Sequence, residues 1–487
     1  MLTVEEIKHF IEEDNSSKKK QLARLGQRYY EGEHDILNSR LFYYNADGKL
    51  VEDIYRSNIR ICHPFFTELS DQFSSFLVSF EEMPIQAKEG VEGLQEHLDS
   101  YFDEEFWAEF EELIGGSYNK GFEYIHAFKN EENKTRFECA DSLGVVEVEK
   151  RFASDKQDHV LYWYVDRIDK DGKKIKKIMD WDSQQVAFYI QTDEGDIVLD
   201  DMEEINPKPH MLYSEDDVIT YEGYGFIPFW RLDNNKKQFS GLKPIKDKID
   251  DYDRMMCGLS NNITDFDTPI LVVNGFEGDN LDELQTNLKT KKVVGTSAEG
   301  GLKVNTVDIP YQARKLKADE DEKNIYRAGF GFNSSQVGDG NITNIVIKSR
   351  YSLLELKAKK TIPRVSGLLK KLVKVVLDEI NAEHGTGYTL SNVTIKFKPS
   401  IMVNESENIA NEKTKAEIQQ IQINTILNMG MQIGDEKVLK AICEVMDWDF
   451  EELQTAIENA AQENAMIEDA KTTLNNIIPE DEEVIEE

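Results

Sequence analysis

The sequence predicts an α+β fold that is predominantly helical, and three observations lead to this prediction. Apolar residues recur at helical spacing through the first part of the 487-residue chain. From about residue 118 to 232 the pattern changes to the alternation of apolar and polar residues that is typical of short, mostly antiparallel strands. Helical spacing returns at residue 241 and, apart from a small insert at 277–309, dominates the remainder of the chain.

Before residue 118 the sequence predicts three helices. Thr3 and Glu6 have the spacing of a capping box at the start of a helix over residues 3–31. A second, aromatic-rich helix is expected over 63–80. Residues 96–114 carry eight carboxylates and no basic residue, while their apolar residues recur at helical spacing. We therefore expect one face of this third helix to be core and the other to be a negative stripe.

The middle of the chain predicts a mixed module of short strands. Residues around Asp171 and Gly172 have the composition of a hairpin turn between two strands. The remaining strands of the module are expected near residues 186–191, 196–200, 210–213, 217–222 and 226–232.

A helix, a small α/β insert and a second helix are expected next. The first helix covers 241–265, and the second covers 311–328. The insert between them contains the strand PILVVNGF, a helix at 280–288 and the strands KKVVGT and LKVNTVDI.

A Gly- and Asn-rich loop from Gly329 to Asn344 follows the second helix. A loop of this composition either clamps a phosphate or projects towards a partner. After it we expect a long helix over 345–383, interrupted or kinked at Pro363. Helices at 405–430, 435–446 and 449–475 and a disordered acidic tail complete the chain.

Charge is distributed unevenly along the sequence. The net charge of −36 argues against a protein that coats DNA through a global basic surface. Residues 345–374 nevertheless contain nine Lys or Arg and one acid, whereas 401–487 contain 21 acids and five Lys. The basic helix could contact a phosphate backbone or pair with carboxylates of neighbouring copies, and the negative total favours the second interpretation.

Cysteine usage and hydropathy indicate the compartment. The four cysteines lie far apart without a CxxC pair, which is typical of free thiols in a reducing compartment. The acidic N-terminal segment lacks the apolar region of a signal peptide, and no apolar run approaches the length of a membrane span. We expect assembly in the cytoplasm and no membrane association.

Motifs for chemistry are absent from the sequence. The loop at 329–344 lacks the Lys of a phosphate-binding P-loop and the third glycine of GxGxxG. The eight histidines never pair at helical spacing, and HExxH and GxSxG do not occur. Residues 247–253 group four carboxylates, but a solvated helix face explains them better than a metal site. We expect no catalytic, cofactor-binding or metal-binding residues, and hence no enzyme.

The order of segments resembles the tailed-bacteriophage portal proteins of the SPP1 type. The resemblance covers roughly residues 20–400 and includes RYYEGEHDIL at Arg28–Leu37 and the IYRAGFGF helix end before the loop. Family members often have Ser-Gly before the long helix, where this chain has Thr343-Asn344. The matching positions of the central segment are Gly225, Ile227, Pro228, Asn234, Asn235, Ile249, Asp250, Tyr252 and Asp253.

The resemblance implies a portal fold with wing, stem, clip and crown, assembled as a ring of about twelve subunits, a homododecamer. Such a ring occupies one capsid vertex of the virion, where DNA is packaged and ejected through its channel. The implied segments are the wing (1–240), stem helix 1 (241–266), the clip (267–309), stem helix 2 (310–330), the tunnel loop (331–344), the long wing helix and following strand (345–400), the helical crown (401–478) and the acidic tail (479–487).

The resemblance also implies partners and site residues. The expected partners are further copies of the chain, double-stranded DNA, the large terminase, a head-completion adaptor, and the major capsid and scaffolding proteins. Two alternatives stay open: a packaging ATPase component, and an acidic intracellular scaffold without a role on DNA. The expected DNA-facing loop residues are Asn333, Ser334, Ser335, Gln336, Val337, Gly338, Asp339, Gly340, Asn341, Ile342, Thr343 and Asn344, and the inter-subunit or DNA-contacting cations are Lys348, Arg350, Lys357, Lys359, Lys360 and Arg364.

Overall fold

The structure is a computed structural model, and it describes most of the chain. Several sequence-based predictions lie outside the described residues: the helix at 280–288, the strand KKVVGT, loop residues 334–343, most of the helix at 449–475, and the acidic tail. The described residues are 1–54, 56–130, 132–168, 170–192, 195–215, 218–266, 270–276, 280, 282, 284, 296–305, 310–333, 344–399, 405–433, 435–446, 450 and 453–455.

The N-terminal segment forms two helices, α1 (Val4–Ser16) and α2 (Lys18–Tyr30). The capping box is confirmed, because the Thr3 and Glu6 side chains each accept from the other's backbone N–H, at 3.3 and 2.9 Å. The prediction of one helix over 3–31 is wrong. Ser17 has extended backbone angles and caps α2 by accepting from Lys20 N at 3.2 Å, so a new helix starts there.

The prediction of one helix over 96–114 is also wrong, because Asp103 divides this region. Its backbone is extended, and its carboxylate accepts from Phe106 N at 3.1 Å, which starts a separate helix. The aromatic-rich helix expected at 63–80 is confirmed. The three helices are α3 (Phe65–Val78), α4 (Leu94–Tyr101) and α5 (Glu104–Lys120).

The strands pair antiparallel throughout the described residues, as the alternation predicted. The largest sheet has the order β10-β9-β8-β7-β6, with β11 also on β9; a second has the order β14-β4-β5; and β1-β2, β12-β13, β15-β16 and β17-β3 are two-stranded. The strands are β1 (Phe42–Tyr44), β2 (Leu50–Glu52), β3 (Ile85–Ala87), β4 (Phe122–Lys129), β5 (Thr135–Ala140), β6 (Val145–Val148), β7 (His159–Ile168), β8 (Lys174–Trp181), β9 (Gln185–Gln191), β10 (Ile197–Leu199), β11 (Lys208–Pro209), β12 (Met211–Glu215), β13 (Val218–Glu222), β14 (Phe229–Asp233), β15 (Ile270–Phe276), β16 (Thr296–Asn305) and β17 (Val393–Ile395).

The predicted turn at residues 171–172 is confirmed by the β7–β8 hairpin. Gly172 has φ +79°, a left-handed conformation that favours glycine.

The predicted order of helix, strand pair and helix is present in the second half of the chain. The hairpin β15–β16 lies in sequence between two helices, and a long helix follows. That long helix continues across Pro363, so the expected interruption does not occur. Buried Val365, Leu368 and Leu369 on the next turns hold it against the core. The helices are α6 (Lys246–Phe266), α7 (Tyr311–Gly329), α8 (Asn344–His384), α9 (Glu405–Ile433) and α10 (Asp435–Met446).

One hydrophobic core joins α3, α4, α5, α6, α7 and α8, and it includes Phe66, Phe110, Ile249, Ile325 and Leu372. Two smaller cores lie on the sheets, one of them under α1. The described residues fall into two compact units, of which the first contains these cores. In the second unit α9 and α10 pack on each other, with a hydrogen bond from Gln419 Nε2 to Val445 O at 3.3 Å.

None of the helices in the described ranges combines the length and the apolar character that crossing a membrane would require.

Candidate functional site

A buried carboxylate on α6 joins the N-terminal segment to this helix. Asp253 is fully buried; its Oδ2 lies 2.7 Å from His34 Nδ1 and its Oδ1 lies 2.8 Å from His63 Nδ1. The backbone N–H of His63 also donates to Oδ1 at 3.0 Å. One side chain of α6 thereby fixes two separate segments of the chain.

The hydrogen bonds decide the charge state of Asp253. Burial alone would raise the pKa of this carboxyl, because a charge is costly away from water. The hydrogen bonds from His34 and His63, together with their charges, outweigh burial and hold the pKa of Asp253 below its usual range. The carboxylate is therefore ionised although it is buried.

A second group of polar contacts lies one turn earlier on α6. The Tyr29 hydroxyl donates to Asp250, and Lys246 Nζ lies 2.6 Å from Asp250 Oδ2 and 2.7 Å from Asp35 Oδ2. Burial lowers the pKa of Lys246, but the hydrogen bonds with Asp250 and Asp35 outweigh it and the net shift is upward. We refer to Tyr29, His34, His63, Lys246, Asp250 and Asp253 together as the α6 junction.

The structure brings together two segments that the family resemblance had named separately. Arg28–Leu37 and the Asp250–Asp253 part of α6 form the two sides of the α6 junction. His63 was missed in the sequence, because nothing in a lone histidine indicates a partner 190 residues away.

Helices α6 and α7 are linked to each other and to α3. Lys317 of α7 lies 2.8 Å from Asp251 of α6. Phe65 of α3 contacts Tyr252 of α6 edge-on, with ring centroids 4.9 Å apart, and Tyr326 of α7 at 5.8 Å. This arrangement fixes the two helices that flank the β15–β16 hairpin in sequence.

The start of the predicted tunnel loop is fixed by packing. Gln72 of α3 donates to Phe332 O at 2.8 Å and accepts from Phe332 N at 3.1 Å. Gly329 and Gly331 lie against Leu69 so closely that neither has room for a Cβ atom, and it is Phe330 that has the left-handed backbone, at φ +64°. Gly329 and Gly331 thus let the backbone lie close to Leu69, and neither is needed for a positive φ.

Of the predicted loop residues, Asn333 is the one whose side chain the structure describes. Its Nδ2 donates to Glu322 Oε1 of α7 at 2.5 Å. Residues 334–343 and the side chain of Asn344 lie outside the described part of the chain.

Among the predicted basic residues of α8 whose side chains are described, one faces the core and the others are exposed. Lys357 points to the core, with Nζ 3.3 Å from the Tyr118 ring centre and 4.2 Å from that of Phe73, and its burial lowers its pKa. Arg364 donates to Asn234 O at 2.6 Å, and Lys359 lies 3.4 Å from Glu355. The side chains of Lys348 and Arg350 lie outside the description.

The solvent side of α8 carries a row of cations. Lys359, Lys360, Arg364, Lys370, Lys371 and Lys374 are all exposed and occupy the side of the helix opposite its buried residues. We call these six residues the cationic face of α8. Lys360, Lys370, Lys371 and Lys374 have no ion pair with any other described residue.

Among the described residues, no three His, Cys, Asp or Glu side chains come close enough together to hold a metal ion. Three of the four carboxylates of 247–253 have other partners. Asp250 pairs with Lys246, Asp251 with Lys317, and Asp253 with His34 and His63.

The described residues thus combine interlocked helices, a buried polar junction and a long helix with an exposed cationic face. The sequence model of the family described as phage portal protein, SPP1 Gp6-like, matches residues 8–468, and the chain belongs to this family.

Two portal proteins are similar over long stretches. The portal protein of Bacillus phage SPP1 is 27% identical over 342 residues, which cover 68% of this chain and 65% of that protein. The chain thus spans just under two thirds of that relative. The portal protein of Clostridium phage phiCD119 is 24% identical over 391 residues, covering 77% of this chain and 82% of that protein.

Proposed function

We propose that copies of this chain assemble into a closed ring whose channel carries double-stranded DNA into and out of a phage capsid. The observation that carries this proposal is the family match over residues 8–468. The charge of the chain suits the role. A net charge of −36 repels a polyanion, so DNA passes through the channel without being held tightly on its wall.

We assign the segments of the ring from the order of the elements. Helices α6 and α7 act as the stem, and the region between them, which contains the β15–β16 hairpin, acts as the clip. Residues 1–240 together with α8 form the wing, and α9 and α10 belong to the crown. The contacts of Lys317 with Asp251 and of Phe65 with both helices support a stem that moves as one element.

Residues 331–344 act as the tunnel loop that faces DNA. The anchoring of Phe332 by Gln72 and of Asn333 by Glu322 supports this role, because residues that contact passing DNA need a fixed base. Contact is made through short polar side chains and backbone, and no base sequence is recognised.

The ring acts without an enzymatic activity of its own. The large terminase supplies ATP hydrolysis and docks on the clip, and the head-completion adaptor later takes the same place. The ring is assembled in the host cytoplasm with the major capsid and scaffolding proteins, and it becomes part of the virion.

Imaging of the purified chain tests the ring. Mass photometry and negative-stain microscopy are expected to show closed rings with a central hole. An ATP hydrolysis assay on the same sample is expected to show no turnover. Particles without a hole, or turnover in the absence of terminase, would contradict the proposal.

A deletion tests the tunnel loop. Removing Gly338–Asn341 is expected to leave rings intact and to reduce DNA packaging or genome retention in a phage complementation assay. Removing Val484–Glu487 from the end of the acidic tail is the control of equal length, and it should leave both rings and packaging unchanged. Normal packaging with the shortened loop would contradict a DNA-gating role.

A further inference from the structure

A strongly acidic pocket lies between α2, α3, α5 and the β4–β5 strands. Its volume is about 500 Å³. Among the described residues, its lining contains seven carboxylates and one ammonium group, which belongs to Lys120. Lys120 is already occupied, because it pairs with Glu123 and lies 2.7 Å from Asp141. The pocket therefore has a large excess of negative charge.

Several of these carboxylates have a neutral partner and no cation. Asp71 accepts from the Tyr30 hydroxyl at 3.1 Å, and Glu111 accepts from Ser75 Oγ at 2.8 Å. Neither they nor Glu112 has an ion pair within the described part of the chain. Burial raises the pKa of Asp71, and the charge of Glu111 adds to this rise against the effect of the Tyr30 hydroxyl. A cation in the pocket would relieve this repulsion.

A buried amide in the wall of the pocket also lacks a partner. Asn119 is 3% exposed and lines the pocket, and its Oδ1 has no hydrogen-bond donor in the described structure. A buried acceptor without a donor is unfavourable, so a group that brings N–H donors into the pocket gains more than Coulomb attraction. An ammonium or guanidinium group brings both charge and donors.

The carboxylates are not arranged to hold a metal ion. Described residues nowhere place three potential ligands around one point, so a single divalent cation would lack the multiple oxygen ligands that it needs. Side chains that end in separate positive groups fit the dispersed carboxylates better.

The cationic face of α8 supplies such side chains, but not to the pocket of its own chain. Asp71 and Ser75 of α3 line the pocket, whereas Phe73, two residues from each, contacts Lys357 of α8. Residues two apart lie on nearly opposite sides of a helix, so α3 separates the pocket from α8. The cationic face points away from that core towards solvent. The donor must therefore come from a second copy.

We propose that the acidic pocket of one copy receives lysine side chains from the cationic face of α8 of the neighbouring copy. The inference rests on the proposed ring and specifies one of its interfaces. Two complementary surfaces at different places on one chain make a head-to-tail contact, and a contact of this kind forms a ring when the rotation from copy to copy closes. The negative charge of each pocket is then neutralised only in the assembly.

Charge reversal on each side tests the contact. The pocket variant carries Glu111→Lys and Glu112→Lys, and the helix variant carries Lys370→Glu and Lys371→Glu. Each is expected to raise the concentration for half-maximal ring formation by about tenfold or more, because like charges then face each other. The chain with all four changes is expected to recover most of the lost assembly. Mass photometry at about 0.1 M NaCl, where charges within roughly 10 Å still interact, gives the readout.

Matched controls carry the same charge changes elsewhere. Glu12→Lys with Glu13→Lys on α1, and Lys170→Glu with Lys174→Glu at the β7–β8 turn, reverse exposed residues outside the pocket and the cationic face. These controls should assemble like the unmodified chain, and circular dichroism should show all variants folded.

The outcomes separate this inference from the proposed function. If the unmodified chain forms rings and neither reversal weakens them, the pocket contact is overturned and the proposed function stands. The same holds if the fourfold variant does not recover the lost assembly. Absence of rings in the unmodified chain would overturn the proposed function and the contact with it. Loss of DNA binding in the helix variant with rings intact would assign the cationic face to DNA. Loss of rings on adding EDTA would assign the pocket to a metal ion. Either of these last two results would also overturn the contact.

Discussion

The α6 junction and the cationic face of α8 both place charged residues on long helices, but they use the charge differently. At the junction, Asp253 is fully buried and both carboxylate oxygens contact histidines from other parts of the chain. On α8, Lys370, Lys371 and Lys374 are exposed and have no ion pair with a described residue.

The difference shows which charges fold the chain and which are available for assembly. Removing one partner from a buried charged network typically costs about 3–5 kcal/mol, because the other partners remain buried without compensation. An exposed cation contributes well under about 1 kcal/mol to the fold. Charge at the α6 junction therefore belongs to the stability of a single copy, whereas we propose that charge on the cationic face of α8 acts between copies.

The largest effect is expected at Asp253. Asp253→Ala should reduce the free energy of unfolding by about 3 kcal/mol or more, because it leaves buried His34 without its carboxylate. Urea denaturation of dilute chains, below the concentration at which they assemble, measures this change.

Asp251→Ala is the control on the same helix. Asp251 is exposed and pairs with Lys317, so its loss should cost less than about 1 kcal/mol. Equal losses for the two variants would show that the α6 junction is no more important to the fold than the helix surface.

A smaller effect is expected where the tunnel loop begins. In Gly331→Ala the new Cβ would contact Leu69 and lie 2.8 Å from Gln72 Oε1, in a tightly packed place. Overpacking of this kind costs about 1–3 kcal/mol. Thermal unfolding should show a lower midpoint for this variant.

Gly367→Ala provides the contrast on α8. No atom lies within 4 Å of the Cβ it would add, and alanine is the better helix former, so stability should rise by about 0.5–1 kcal/mol. A loss of stability in Gly367→Ala as well as in Gly331→Ala would show that the surroundings of Gly367 on α8 are not open.

Regular spacing allowed the sequence to predict most helices and hairpins, including the order of α6, the β15–β16 hairpin, α7 and α8. The breaks at Ser17 and Asp103 were missed, because a single side chain that caps a helix interrupts neither the apolar spacing nor the composition. The contact of His63 with Asp253 was unpredictable, because it depends on how distant segments pack. The acidic pocket was only partly foreseen: the negative stripe of α5 was predicted, but the unpaired Asn119 and the walls from α2 and α3 were not.

The α6 junction is also expected to respond to acid. The pKa of Asp253 is lower in the folded chain than the value of about 3.9 of a free aspartate, so the unfolded chain binds the proton more tightly. Its contribution to stability is complete above about pH 5 and is lost as the pH falls through the folded-state pKa. Asp253→Asn should therefore lose less stability between about pH 5 and pH 3 than the unmodified chain does. Asp251→Asn should follow the unmodified chain, and denaturation curves at each pH provide the comparison.

The smallest effect is expected on the cationic face of α8. Lys371→Gln and Lys374→Gln remove exposed charges without an ion pair in the described part of the chain, and they keep an unbranched side chain of similar helix propensity. The free energy of unfolding of dilute chains should change by less than about 0.5 kcal/mol. The same variants should weaken the association of copies, and they should do so most at low salt, where screening is least. A loss of stability in the dilute chain as large as that of Asp253→Ala would place the α8 charges in the fold itself, and it would remove the distinction between the two helices.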